Sequence, residues 1–591
     1  MKRLVLTLFA AAVLWAAPVK NAATTSRKAV AFDLSAPLSS MEQFIPEKRV
    51  LIHPAVQSKA VTQGSMRGPG TGLGSAPPNV PAARGGGGAG RGAARGGRGA
   101  AAPPPRITAP PAPEIAAAAA GIEQKAQGSK PAIAVGASFD GLGDGFVGTT
   151  TYAGGGRGGI DLSIAVGPDH IVEILNGSLA VFSKKGKKYP SSGKLLYGAV
   201  PNNTVVTDFG VRCGVTNNSD TVVRYDQLAN RWLIVLPVFS RPPGEPQGPY
   251  AMCYAVSTTP DPLGTYYRYE FQRPLFPDYP RPAVWPDGYY NPTSTSDNML
   301  PEIVTQKHDC IADRQSMLKG LPATEQCIVV DGGVFLMNAD LFGKRLPPPG
   351  APNILMSTGG TQLLKVFEDD GIYFYKVHVD WKDPSKTSLS PPQKIAVAPY
   401  HYLCDGQLSN CVSQPNTDRR LDSQGDKLMQ GLIYRNFGDH ESLLAEHSVA
   451  TSQKSGGVRW YEFRMSGSGD PTLYQQSTYA PDGFYRWLAS IGMDRKGNIG
   501  MGYSFGGEPN FPGQRFTARM AKDPKGQMTF KESVLAEGQA SQTNSLRWED
   551  YTNIAMDPSD DCTFWFTGNY LKAGATSSTT RIGSFAVPGC K

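Results

Sequence analysis

From about Ser138 to the C-terminus, short runs of β-branched and aromatic residues alternate with Gly, Pro, Asn and Asp. Runs of roughly four to eight such residues, bounded by turn formers, read as strands, and almost no long segment keeps a helical period. Six phrases share one layout: a polar–aromatic lead enters a strand, a turn with Asp follows, and a second strand begins. They are GIDLSIAVGPDHIVEILN (159–176), SDTVVRYDQLANRWLIVL (219–236), DYPRPAVWPDGYYN (278–291), DRRLDSQGDKLMQGLIYR (418–435), YRWLASIGMDRKGNIGMGYS (485–504) and LRWEDYTNIAMDPSDDCTFWFT (546–567). Their turn aspartates are Asp169, Asp226, Asp287, Asp422, Asp494 and Asp557. These fall about 60 residues apart, with one gap of about twice that, which is the signature of a repeat architecture.

The period predicts an all-β fold: a single β-propeller over residues 138–591, best filled by seven blades of four strands. Six or eight blades stay open, because one unit is inferred from spacing alone. Two stacked β-sandwiches compete, but sandwiches impose no common period. The unit without the phrase is expected to use QCIVVDGGVFLM (326–337) as inner strands. GTQLLKVFEDDGIYFYKVHVD (360–380) would follow as a hairpin turning at Glu368-Asp369-Asp370-Gly371.

Ahead of this region the texture is different. Lys2 and Arg3 precede an apolar run, Leu4 to Ala17, of export-signal length. Residues 1–22 are therefore expected to be a signal peptide, with an uncleaved anchor as the alternative. Residues 23–137 are expected to form a disordered low-complexity arm, since AARGGGGAGRGAARGGRGAAAPPPR (82–106) cannot bury enough apolar surface to offset its entropy. The arm carries Arg67, Arg84, Arg91, Arg95, Arg98 and Arg106, which leaves the rest of a chain of formal charge +8 close to neutral. Behind an export signal these cations would meet anionic envelope polymer or lipid headgroups rather than nucleic acid. A solvated spacer is the simpler reading. No later stretch is long and apolar enough for a transmembrane helix.

Cys213, Cys253, Cys310, Cys327, Cys404, Cys411, Cys562 and Cys590 all follow the arm, and none forms a CxxC pair. An even number in an exported chain favours disulfides. Nearest-neighbour pairing suits units that contact only their neighbours: 213–253, 310–327, 404–411 and 562–590. The expected location is the cell envelope, the periplasm or the extracellular space.

Several phrases resemble a group of exported bacterial proteins, themselves predicted β-propellers of unassigned role. These are VRYDQLANRW (223–232), CYAVSTTPDPLGTYYRYEF (253–271), DYPRPAVWPDGYY (278–290), YRWLASIGMDRKGNIGMGYS (485–504) and, most specifically, RWEDYTNIAMDPSDDCTFW (547–565). The resemblance spans most of 138–591. It implies the propeller and export, and it carries over no catalytic residue. Where that group usually shows RWGDY, this chain has Glu549 in place of the glycine.

The chemistry is sparse. His53, His170, His308, His378, His401, His440 and His447 are dispersed without HExxH or His-x-His spacing, and no GxSxG or Walker loop is present. No cofactor is expected. Calcium is the one metal for which oxygen ligands stand grouped, at Asp140 and Asp144 in FDGLGDG and at Asp557, Asp560 and Asp561 in DPSDD. Asx-type turns explain each of these aspartates equally well.

Sialidase-like propellers use arginines for a carboxylate and paired acids, and SDDCTFW (559–565) distantly resembles their Asp-box, lacking its glycine and one residue short. Here Arg231-Trp232, Arg486-Trp487 and Arg547-Trp548 recur, as do Asp278-Tyr279 and Asp550-Tyr551. Packing between blades accounts for the tryptophans. If the repeats align, the same ten residues could instead line one binding face. The expectation is a non-catalytic binding or scaffold propeller for a carbohydrate or protein. The alternative is a glycoside hydrolase or lyase, which requires two carboxylates and an arginine to converge in one pocket.

Overall fold

Runs such as Leu162–Val166 and His170–Leu175 are buried at every position, not at alternate ones. Strands of that kind have both faces covered by neighbouring sheets. The computed structural model describes residues 24–41 and 113–591, except 157, 211, 216, 219, 240–249, 274–275, 297–306, 331, 334, 361–366, 368, 407–409, 430, 466–468 and 552. The described residues are all-β, with helices of only one or two turns.

The strands form successive antiparallel meanders. The first comprises Leu162–Val166, His170–Leu175, Ser178–Ser183 and Leu195–Pro201; the second Val222–Asp226, Arg231–Val238, Tyr250–Ser257 and Tyr266–Arg273. The third runs through Ala283–Val284, Tyr289–Ser296, Lys307–Ala312 and Thr324–Val330, with Phe276–Asp278 also paired to its second strand. The fourth has Met337–Leu341, Asn353–Thr358, Ile372–His378 and Gln393–Ile395, and the fifth Leu432–Asn436, Glu441–Ala450, Gly456–Met465 and Thr472–Tyr479. The sixth is Tyr485–Met493, Ile499–Gly507, Asn510–Arg519 and Ser533–Ala536. In the seventh, Asn553–Met556, Thr563–Tyr570 and Thr579–Ala586 accept Ser138–Gly143 as the outer strand, so the two ends of the region share one sheet.

The leading strands of consecutive sheets touch in order, and Asn553–Met556 lies against Leu162–Val166. Five of them (those of the first, second, fourth, fifth and seventh sheets) line one narrow cavity of about 40 Å³ beside Asp340 and Asn553. That is space for about one or two waters.

All four disulfides follow the nearest-neighbour pairing: Cys213–Cys253, Cys310–Cys327, Cys404–Cys411 and Cys562–Cys590. No helix among the described residues is long and apolar enough to cross a membrane.

Three sequence expectations change. First, part of the expected arm is built into the sheets. Thr24–Lys28 pairs with Thr324–Val330, Ala31–Leu34 with Tyr266–Arg273, and Glu123–Gln124 with Thr472–Tyr479. The export signal and Arg67, Arg84, Arg91, Arg95, Arg98 and Arg106 lie outside the described residues. Second, Asp169, Asp226, Asp287, Asp494 and Asp557 do sit at the turn between first and second strands, but Asp422 does not. It ends Thr417–Asp422, half of a two-stranded ribbon with Asn410–Gln414 inserted before the fifth sheet. Third, Gln326 to Val330 belongs to the fourth strand of the third sheet; of the hairpin expected over 360–380, 372–378 is a strand paired to Asn353–Thr358, while 361–366 and 368 lie outside the described residues.

Candidate functional site

The two Asp-Tyr doublets, far apart in sequence, meet. Tyr279 and Tyr551 stack at 4.4 Å with an interplanar angle of 18°. The Tyr279 hydroxyl donates to the Asp550 main-chain carbonyl. Asp220 links both tyrosines: its Oδ2 accepts from the Tyr279 N–H at 3.3 Å and from the Tyr551 hydroxyl at 3.5 Å. Tyr279 holds φ +55°, a left-handed conformation strained for an aromatic residue, and the Arg281 guanidinium covers its ring at 4.3 Å.

Arg547 completes the group. It donates to Asp550 Oδ1 and forms an ion pair with Asp422 at 2.8 Å. Gln424 Nε2 donates to the same Asp550 oxygen at 2.7 Å, and Lys427 bridges Gln424 and Asp426. The side chains of Arg547 and Asp550 are 24% and 14% exposed, and Asp278 is half-buried, so the group is partly open to solvent.

Asp161 lies just ahead of the first sheet's leading strand and joins this charge cluster. Burial raises its protonation point well above the usual carboxylate range, and the charges of Asp220, Asp550 and Asp278 add to that. Asp278 is raised in the same way, by burial first and then by Asp220 and Asp550, with Arg547 and Lys307 opposing. Lys307 is itself lowered to about 8 by burial, which Asp278 only partly offsets. Burial works against the charge of Arg547, but Asp550 and Asp422 outweigh it and hold the guanidinium firmly protonated.

Asp161, Asp220 and Asp550 thus stand within three residues of the leading strands of three sheets, and Asp278 five residues ahead of a fourth. Asp161 and Asp220 were missed as site residues, although both lie inside quoted repeat phrases. The available signal was an aspartate in the lead of five of the six phrases, ahead of the turn aspartate used to set the period.

The other expected site residues lie elsewhere. Arg231 donates to the carbonyls of Ala229 and Asn230 in its own turn. Trp232 is buried edge-on to Tyr225, with Nε1 bonded to the Pro260 carbonyl at 2.8 Å. Arg486 is buried between Asp482 and Glu532. Trp487 and Trp548 pack near each other in the core, and Trp548 Nε1 donates to Ser504 Oγ. Only Arg547 of the three Arg-Trp pairs reaches the cluster.

Of the five aspartates first considered for calcium, four are engaged by other groups, while Asp144 bonds through its main chain, to the Ser578 carbonyl and Lys572. Asp140 meets Arg581, Lys572 and Tyr570, Asp557 pairs with Lys184, Asp561 with Arg435, and Asp560 accepts from the N–H groups of Cys562 and Thr563.

No family model and no curated protein matches the chain. Among solved structures, the subtype N10 neuraminidase-like protein of A/little yellow-shouldered bat/Guatemala is 10% identical, with 63% of this chain and 96% of that one covered and a TM-score of 0.31. A protein of unknown function from Dyadobacter fermentans is 11% identical over 73% of this chain and 95% of its own, with a TM-score of 0.29. A PL25 ulvan lyase is 8% identical over 76% and 81%, with a TM-score of 0.26. These are distant likenesses in architecture and assign no chemistry.

Proposed function

We propose that the chain is an exported seven-bladed β-propeller that binds a carbohydrate at the axial mouth formed by Asp278, Tyr279, Arg547, Asp550 and Tyr551, without catalysing a reaction. The supporting observation is the convergence of the two Asp-Tyr doublets with Arg547 from opposite parts of the sequence. The cyclic order of contacts between leading strands supports the propeller, and the four disulfides suit an oxidising compartment. Carboxylates that accept and a guanidinium that donates are the groups with which a protein orients sugar hydroxyls.

The test is a glycan array followed by calorimetry on any hit. Asp550→Asn should weaken binding by at least about tenfold, the loss expected for a hydrogen bond to a charged group. It leaves the main-chain carbonyl that receives Tyr279 in place. Absence of binding to every glycan by a well-folded sample, or unchanged affinity in Asp550→Asn and Asp278→Asn, would overturn the reading.

A second reading, glycoside hydrolase or lyase, is favoured by one feature: burial raises the protonation points of Asp161 and Asp278 beside Asp550 and Arg547. An acid next to a carboxylate is the minimal equipment for glycosidic cleavage. It stands if a bound polymer releases reducing or unsaturated ends, and falls if the polymer stays intact on prolonged incubation.

A further inference from the structure

We propose that the axial mouth also binds a hard divalent cation, calcium by its chemistry, with Asp161 as the anchoring ligand between the leading segments of the first and second sheets. Four carboxylates gather there, and the cations acting on Asp161 and Asp278 are Arg547, itself shared with Asp422, and Lys307. Asp161 is only 3% exposed, and its Oδ1 has no hydrogen-bond partner. A buried carboxylate oxygen left bare is costly unless a cation or donor meets it.

The Asp550 N–H donates to the Ile160 carbonyl at 2.9 Å, which holds Asp161 beside Asp550. Thr221 Oγ1, next to Asp220, is likewise buried without a partner. Calcium takes six to eight oxygens, roughly, from mixed carboxylate, amide, carbonyl and water donors.

The metal-ligand census sets a limit on the geometry. Among the described residues, the one trio of His, Cys or carboxylate ligand atoms within 4.8 Å is Cys310, Glu325 and Cys327, whose cysteines form a disulfide. The ion would therefore hold at most two of the aspartates at once and complete its shell with neutral oxygens and water. With no His or Cys in this group, a zinc- or copper-type site does not fit. Burial this deep also suits an ion better than a sugar ring. Water could meet the bare oxygens but would not balance the gathered carboxylate charge. The proposal does not depend on the sugar reading, because it is tested with no sugar present.

The test uses the full chain, stripped with chelator and desalted. Terbium should give emission sensitised by Tyr279 and Tyr551, displaced by calcium and not by equimolar magnesium. Elemental analysis after calcium loading should find one equivalent, and saturating calcium should raise the melting temperature by about 3 °C or more. Asp161→Asn should weaken binding by about tenfold or more, while Asp560→Asn should not change it. If wild-type protein gives neither sensitised emission nor bound calcium, the proposal fails, whether or not Asp161→Asn folds. It also fails if Asp161→Asn binds as the wild type does.

Discussion

Arg486→Ala is expected to cost about 3–5 kcal/mol of folding stability, the usual loss when one partner of a buried ion pair is removed. Arg486 makes two bonds to Glu532, at 2.6 and 2.9 Å, and two to Asp482, at 2.6 and 2.8 Å. Asp482 is 37% exposed and can return to water, so little of the loss falls on it. Glu532 is 2% exposed and keeps the Tyr503 hydroxyl at 2.6 Å and Gln127 Nε2 at 3.2 Å, with Arg515 at 3.4 Å as its one remaining cation. Its charge would be left largely uncompensated inside the sixth sheet. Adding Glu532→Gln should therefore recover part of the loss. Urea unfolding of the two variants, read as midpoints at constant slope, tests this. A loss below about 1 kcal/mol for Arg486→Ala would refute the structural role given to this arginine.

That role explains why the Arg-Trp doublets were a poor guide to a site. Adjacent residues on a strand point to opposite faces, so an arginine and the tryptophan after it do not share one pocket. Arg231 and Arg486 are the first and second residues of their strands and serve their own sheet, whereas Arg547 precedes its strand and turns toward the Asp-Tyr cluster. The Asp-Tyr doublets were better guides because both also stand ahead of leading strands. Asp161 and Asp220 occupy the same kind of position but lack the tyrosine that drew attention to the other two.

The disulfides were legible because each bridge is local, spanning 40 residues or fewer. The strands at 24–34 were not. TTSRK and AFDL carry no strong alternation, and they become strands only by adding to edges more than two hundred residues away. Asp422 misled the phase because the fifth sheet's own first turn is Phe437 to His440, behind an inserted ribbon. The fourth sheet's corresponding turn, FGKRLPPPGAP (342–352), has no aspartate at all. Glu446, fully buried with both carboxylate oxygens unpartnered and Arg281 acting on its charge, had no sequence signal because its strand reads as ordinary alternation.

Between pH 6.5 and 8 three buried carboxyls are expected to cost the protein on the order of 3 kcal/mol of stability. Glu173, Asp309 and Glu549 are fully buried, and burial raises them to about 7, 7 and 8 despite the hydrogen bonds each accepts. In the unfolded chain they ionise near their ordinary values, so at neutral pH the folded state holds more protons. Their stabilising contribution is complete below the unfolded pKa and is lost as pH rises through the folded one. His308 and His447, lowered by burial, act in the opposite sense at lower pH, which is why the window begins at about 6.5. Lys307, lowered to about 8, makes its contribution above the window. Glu549 dominates the upper half. It accepts from Asn569 N–H and from Ser504 Oγ at 3.0 Å. Glu549→Gln keeps an acceptor for Asn569 and removes the ionisation, so it should flatten about half of the decline. Urea midpoints at pH 6.5 and 8 for both proteins measure this directly, and an undiminished slope in Glu549→Gln would remove Glu549 as its source.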